Sequence, residues 1–362
     1  MSSYIRRAYS SFAAHVFDVP PRLMALLFLI ILLLVPITGL SDADLSILTS
    51  ANVLAIFAVS WDLLVGRTGQ VSLGHALFLG IGGYGTAMIF KYFGLPIWVT
   101  IPVAVLIGAL ASLLIGFPCL RVKGPYLALV TMAFPLIAGN IVKYAPLKDI
   151  FGRIGIIVPG FFPLLPIRQQ TIGEFYLTLL LLFLSSVIVY KIANSKTGIV
   201  FVSILDDDVA SQACGINVTK HKLMAFVISG LFASLAGCLH VHLLRLAQST
   251  DFLLTLSFTP VIVTFLGGIG TIYGPVVGAY IYYVLDGFVL DEIHKLLEQG
   301  GMTLPSGYKL LIFTLIVVIL VIKWPRGVAR YTTDRLEDLE EARDLDERGP
   351  RIWKRYGEKE EK

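Results

Sequence analysis

Residues equipped for chemistry are sparse in the apolar body of this chain of 362 residues, where Asp206, Asp207 and Asp208 stand together at the head of DDDVASQACGINVT. Neighbouring carboxylates make good helix starters, because a side-chain oxygen accepts from the unpaired N–H groups of the first turn and negative charge meets the positive end of the dipole. VASQAC, with Ala210 and Gln212, continues as helix, and Gly215 fits the left-handed position that stops one. Thr219 is placed to cap the helix that follows. The spacing predicts an element of less than two turns, and helices below about 12 residues are marginal alone in water. Two readings stand: an ordinary connecting turn, or a short helix that another protein grips.

The remaining polar groups fall inside apolar runs. Asp62, in SWDLLVG, either pairs with nearby Arg67 at a membrane interface or belongs to a translocation pathway, since a carboxylate deep in lipid costs about 2.5–3.5 kcal/mol on insertion scales. SLGHALFLGIGGYG gathers Gly74, Gly80, Gly82, Gly83 and Gly85, which serve either close helix packing or a broken segment with Ser72 and His75 lining a path. GGIGTIYGPVVG, with Gly267, Gly268 and Gly270, is a second Gly-rich interruption in the other half of the chain, consistent with an inverted repeat that no residue-level match establishes. His240 and His242 are two apart and face different sides of a helix, which argues against a metal pair. Asp286 comes late in an apolar run and is expected to reach water. Cys119, Cys214 and Cys238 form no CxxC pair and imply no disulfide framework. No GxxxxGK[ST] phosphate loop occurs, so any ATP that drives this protein binds elsewhere.

The elements that must position these groups are membrane helices. The chain is 56% hydrophobic and 15% charged, against about 25% charged in soluble proteins. A span needs roughly 20 mostly apolar residues, and runs near that length cover 23–40, 45–65, 70–92, 97–117, 125–144, 172–192, 223–243, 253–270, 274–291 and 308–323. Helices satisfy their own backbone in lipid and no alternating barrel pattern appears, so the expected fold is all-α and polytopic, with about ten spans, some interrupted by Gly. The first run follows Arg6, Arg7 and Arg22 but lacks a cleavage site and is too long for a signal core, so it reads as a span.

Basic residues orient the spans. Arg6, Arg7, Arg22, Arg67, Arg121, Lys123, Lys191, Lys196, Lys220, Lys222 and KWPRGVAR fall on one side, read as cytoplasmic with both termini. The loop 145–170 disobeys, with Lys148, Arg153 and Arg168. The expected organisation is a cytoplasmic segment 1–22, a permease domain 23–323 holding a cytoplasmic segment at about 193–222, and a hydrophilic tail 324–362 with mixed charges. A net charge of +4, with scattered Lys and Arg, gives no basis for nucleic-acid binding.

GQVSLGHALFLGIGGYGTA (69–87) resembles the signature of LivM-type permeases, membrane subunits of ABC importers for branched-chain amino acids. The resemblance continues through LRVKGPYLALVTMAF (120–134), DDDVASQACGINVTKHKLMAFVISGLFASLAGCLHVH (206–242), VIVTFLGGIGTIYGPVVGAYI (261–281) and WPRGVA (324–329). It departs at VFVSIL (200–205), where relatives carry basic residues, at Asp62, where they carry Asn, and at FGRIGI (151–156). The resemblance implies a non-enzymatic subunit that pairs with a second, related permease in the cytoplasmic membrane of a bacterium or archaeon. Two ATPase subunits carry the ATP and Mg²⁺, an extracytoplasmic substrate-binding protein delivers cargo, and this chain binds no cofactor. It also implies that Asp206, Asp207, Asp208, Ala210, Gln212 and Gly215 form the coupling helix that docks on the ATPase. The alternatives are a sister permease for urea or short amides, a passive channel, and a secondary transporter, although mid-membrane ionisable groups for ion coupling are nearly absent.

Overall fold

The structure, a computed structural model, describes residues 28–122, 124–144, 148–152, 155–289, 308–324, 327–329 and 331. Arg6, Arg7, Arg22, the side chains of Lys123, Lys148 and Arg153, the loop 291–300 and the tail from Thr332 lie outside the described residues.

The described residues form a helical bundle with one two-residue β pair. Helices α1 (Phe28–Thr38), α2 (Asp42–Thr68), α3 (His75–Phe93), α4 (Ile97–Cys119) and α5 (Pro125–Lys143) follow one another through short connections. A long connection carries α6 (Lys148–Phe151) and strand β1 (Ile156–Ile157) before α7 (Ile167–Ala193). Two short helices, α8 (Lys196–Asp206) and α9 (Asp208–Ala213), then precede α10 (Val218–Leu244). Strand β2 (Leu246–Ala247), a 3₁₀ turn at Ser249–Phe252, α11 (Leu254–Gly267) and α12 (Tyr273–Tyr283), continued by a π-helical turn to Val289, lead to α13 (Tyr308–Lys323).

Among the described residues, six helices are long and apolar enough to cross a membrane: α2, α3, α4, α5, α7 and α10. The apolar runs expected at 253–270 and 274–291 form shorter helices, because Gly268, at φ 129°, and Gly270, at φ 76°, open a non-helical turn between them. The run expected at 70–92 also begins late. Residues 69–74 are unwound, whereas Gly80, Gly82, Gly83 and Gly85 lie inside continuous α3.

Local signals account for the ends. Ser41 Oγ accepts from Asp44 N at 3.2 Å to start α2, and Gly69, left-handed at φ 68°, returns its N–H to Val65 O to stop it. Asn217, rather than Thr219, caps α10, its side chain accepting from Lys220 N at 3.0 Å. Thr219 sits two residues too late, inside the first turn.

Helix α2 is apolar on all sides and buried on nearly all of them, as a central helix must be. It packs on α7, α10 and α12, while α10 also packs on α3 and α4. Buried polar groups tie helices together: Asn52 Nδ2 donates to Thr178 Oγ1 at 3.1 Å, and Tyr280 Oη donates to Asn52 Oδ1. Such interhelical bonds contribute about 0.6–2 kcal/mol each in a bilayer. By contrast, α4 and α5 turn outward with Leu106, Leu110, Leu114, Phe117, Leu129 and Ile137 exposed, a surface suited to lipid or to a partner helix.

Helices α3 and α10 approach until backbones touch. A Cβ on Gly82 would run into the Ser234 carbonyl, and one on Gly237 into the Leu79 carbonyl, whereas one on Gly85 would meet Ala104 Cβ at 3.2 Å. Gly82→Ala should therefore cost about 1–3 kcal/mol of overpacking and sharply lower the yield of monodisperse protein in fluorescence-detected size exclusion. Gly85→Ala should leave that yield close to the wild-type value.

Candidate functional site

The acidic run divides between two helices. Asp206 is the last residue of α8, and Asp207 is the N-cap of α9. Asp207 Oδ1 accepts from Val209 N at 2.7 Å and Ala210 N at 3.0 Å. Those bonds, Ala210's first and then Val209's, hold its carboxyl below the usual carboxylate range. The cap is therefore intact at neutral pH and fails only as pH falls through that lowered value. Asp208 opens α9 and pairs with Lys222 in the first turns of α10. Gly215, left-handed at φ 82°, follows α9 at the stop position.

Helix α9 has 6 residues and buries only Ser211, whose hydroxyl meets Ser203 Oγ at 2.7 Å. Val209, Ala210, Gln212 and Ala213 face outward, Val209 with 71% of its surface exposed. Ile199 of α8 is likewise bare, with 69% of its surface exposed. Between α8 and α9 lies an apolar groove of about 520 Å³ lined by Ile199, Val202, Asp206, Ala210 and Cys214. Helix α8 itself was missed by sequence reasoning, although Phe201 and Ile204, three apart and both buried, carry its signal. Those two side chains anchor the projecting element.

At this same end three further segments converge. Asp62 is buried, and its Oδ1 accepts from Gly270 N at 2.7 Å. The carboxylate's hydrogen bond thus goes to the turn between α11 and α12, while Arg67 acts on it through charge without a direct bond. Gly66 touches that turn as well, since a Cβ there would lie 2.7 Å from Gly270 Cα. Gly327, of the WPRGVA motif, presses on Gly268, so the second Gly-rich interruption joins α2, the α11–α12 turn and the chain after α13. Gly267 ends α11 against the Gly274 carbonyl of α12.

The unwound 69–74 segment is held by side chains of other helices. Trp61 Nε1 donates to Ser72 O at 2.8 Å, Leu73 N to Thr131 Oγ1 at 3.1 Å, and Ala76 N to Ser257 Oγ at 3.0 Å. Irregular backbone at membrane depth survives where protein groups satisfy it, as here. Gly74 lies against the Thr131 backbone, and Ser72 and His75 are fully buried. Ser229 Oγ donates to Ser60 O at 2.6 Å and so accepts from His75 Nε2 at 2.9 Å. Gly82 and Gly83 face α10. These positions are therefore packed contacts in this conformation.

At the opposite end, His242 bridges Pro159 O through Nδ1 at 2.9 Å and Thr86 Oγ1 through Nε2 at 3.0 Å, which fastens the long connection to α3 and α10. Strands β1 and β2 pair antiparallel beside it. His240 points elsewhere, 4.0 Å from Asp251 Oδ1, whose carboxyl burial pushes up to about 6 against the opposing Gln248 N–H. Asp286 lies half-buried in the π-helical turn. Arg168, one of the basic residues on the disobedient side, donates to Asp42 Oδ1 at 2.7 Å and Leu40 O at 2.6 Å, so its charge is paired.

Residues 45–321 match the family described as branched-chain amino acid transport system, permease component. The chain is 27% identical over 342 residues to the high-affinity branched-chain amino acid transport system permease protein LivM of Salmonella typhimurium, covering 86% of this chain and 76% of that one. It is 27% identical over 338 residues to LivM of Escherichia coli, with the same coverage. It is 22% identical over 305 residues to the probable branched-chain amino acid transport permease protein LivH of Methanocaldococcus jannaschii, covering 80% of this chain and 92% of that one. No solved structure matches.

The Asp62–Gly270 bond makes a direct prediction. Asp62→Asn keeps an acceptor oxygen and should retain both stability and uptake. Asp62→Leu strands the Gly270 N–H, should cost about 1–3 kcal/mol, and should lower the melting temperature in detergent.

Proposed function

The chain belongs to the branched-chain amino acid transport permease family, and from that membership we propose that it forms half of the pore of an ATP-driven importer for branched-chain or similarly small apolar amino acids. A second, related permease completes the pore. Two ATPase subunits hold ATP and Mg²⁺, this sequence having no phosphate-binding loop of its own. An extracytoplasmic binding protein supplies cargo and much of the selectivity. The chain is a transport component and performs no covalent chemistry.

The observation that carries this reading is α9, a capped helix of 6 residues that projects between two spans with Val209 bare. In the proposed assembly α9 is the coupling helix, seated with the α8–α9 groove against an ATPase subunit. Asp207 keeps it helical, while Ala210 and Gln212 contribute to its outward face. Arg67, Arg121, Lys191, Lys196, Lys220 and Lys222 cluster toward this end, which supports a cytoplasmic orientation in the inner membrane. The described helices are compatible with ten spans when the shorter apolar helices α1, α11 and α13 are counted with the six long ones and α12. Both termini are then cytoplasmic.

We assign the translocation path to the surface beside the unwound 69–74 segment and the α11–α12 turn, with Ser72, Gly74, His75, Gly267, Gly268 and Gly270 as its hinge positions. Gly82 and Gly83 keep α3 against α10 as that surface opens and closes. Closure of the ATPases would push α9, and the Asp208–Lys222 pair would hand that displacement to α10.

Val209→Arg tests the reading, because an exposed position accepts the change without loss of fold. ATP-driven leucine uptake in proteoliposomes should fall about tenfold or more, the equivalent of about 1.4 kcal/mol of docking, with membrane level and melting temperature unchanged. Wild-type uptake by that variant would contradict the assignment of α9. Ala210→Pro, which deletes one of the two N–H groups held by Asp207, should have the same effect.

A further inference from the structure

Behind α9, on the side facing the bundle, lies a second cavity with different chemistry. It has a volume of about 250 Å³ and is bounded by the end of α2, the unwound segment at Gly69 and Gln70, the α4–α5 turn, α9 and the first turn of α10. That is the space of about eight waters, on the scale of a small amino acid and too small for a nucleotide.

Among the described residues, two acceptors in its wall have no donor. Gln70 is 3% exposed, and its amide is oriented by its neighbours: Nε2 donates to Thr68 Oγ1 at 2.8 Å and to Lys222 O at 3.4 Å. Its Oε1 is left without a partner, and so is Oδ1 of Asp208, whose other oxygen takes Lys222. Buried acceptors are almost always satisfied, so a pair left open in one cavity marks a place for a donor group. Lys222 uses one of its three ammonium protons on Asp208 Oδ2, and Thr219, three residues earlier on the same helix face, also lines the space. The rest of the wall combines aliphatic Leu120, Val122, Leu127, Ile204 and Leu205 with the polar Asp206, Asp207 and Gln212.

We infer that this cavity is a second amino-acid site, which holds delivered cargo on the cytoplasmic side and ties α9 to the bundle while it is filled. The ligand's ammonium is taken by Asp208 Oδ1 and Gln70 Oε1, its carboxylate by Lys222 and Thr219, and its side chain by the aliphatic wall. A bare anion is disfavoured by Asp206, Asp207 and Asp208, whereas a zwitterion with an aliphatic side chain offers an ammonium to the open acceptors, a carboxylate to Lys222 and an apolar group to the aliphatic part of the wall. Because Asp208 belongs to α9, filling the site fixes the element that must move, so accumulated product slows further import. The choice of ligand rests on the cargo proposed above.

The test is binding of radiolabelled leucine to the complex purified with its partner subunits in nanodiscs, without the binding protein. Saturable binding is expected in the wild type. It should weaken about tenfold or more in Val122→Trp, which fills the space without touching the polar groups, and in Gln70→Leu, which removes one acceptor. Isocaproate, lacking the ammonium, and isoamylamine, lacking the carboxylate, should compete poorly. Absence of saturable binding, or equal binding by both variants, overturns the site. Leucine uptake by the same complex, reconstituted in proteoliposomes with the binding protein, separates the two claims. Uptake without variant-sensitive binding removes the site and leaves the cargo reading standing, whereas variant-sensitive binding without uptake does the reverse.

Discussion

The structure depends on the backbone contact between α3 and α10. Helices in a bilayer gain nothing from hiding apolar surface from lipid that is itself apolar, so close van der Waals contact and buried hydrogen bonds must hold them. Gly82 and Gly237 remove the side chains that would separate these two helices. At that distance Ser234 Oγ reaches Phe78 O at 3.0 Å and Cys238 Sγ reaches Gly82 O at 3.3 Å. A helix held this way along much of its length moves as a rigid shaft, because sliding it would break several contacts together.

That shaft has a working feature at each end. At its start, Lys222 grips Asp208 of α9, and at its far end His242 holds the long connection through Pro159. In the proposed mechanism a push on α9 is therefore felt at both faces of the membrane through one helix. The turn between α11 and α12, fastened to α2 by the Asp62–Gly270 bond and pressed by Gly327, forms a second junction at the α9 end. The two Gly-rich interruptions thus differ in kind. One unwinds the entry to α3 under the hold of Trp61, Thr131 and Ser257, and the other lets α11 and α12 turn back on each other.

Much of this was legible in the sequence. Hydropathy marked the long helices within a few residues, and Gly215 announced the stop of α9 because glycine enters the left-handed position after a helix without a Cβ penalty. What stayed hidden depended on partners far apart in the chain. Asp62 lies beside Arg67 in sequence, yet bonds an amide 208 residues away. The glycines of α3 looked equally suited to packing or to a break, and only the position of α10 decides for packing in this conformation. Gln70 carries no local pattern at all, because its importance comes from the donor it lacks. Helix α8 was obscured by its length, too short for a span and too apolar for a loop.

The central claim, that α9 is where a cytoplasmic ATPase seats, can be tested with a thiol the chain already carries. Cys214 is exposed just after α9, while Cys119 and Cys238 are buried. The rate of labelling by a membrane-impermeant maleimide would be measured in inside-out vesicles, with and without the ATPase subunits. The account predicts rapid labelling of Cys214 in stripped vesicles and strong protection when the ATPases are restored. Equal labelling in both, or labelling only from the outer face of intact cells, would contradict it.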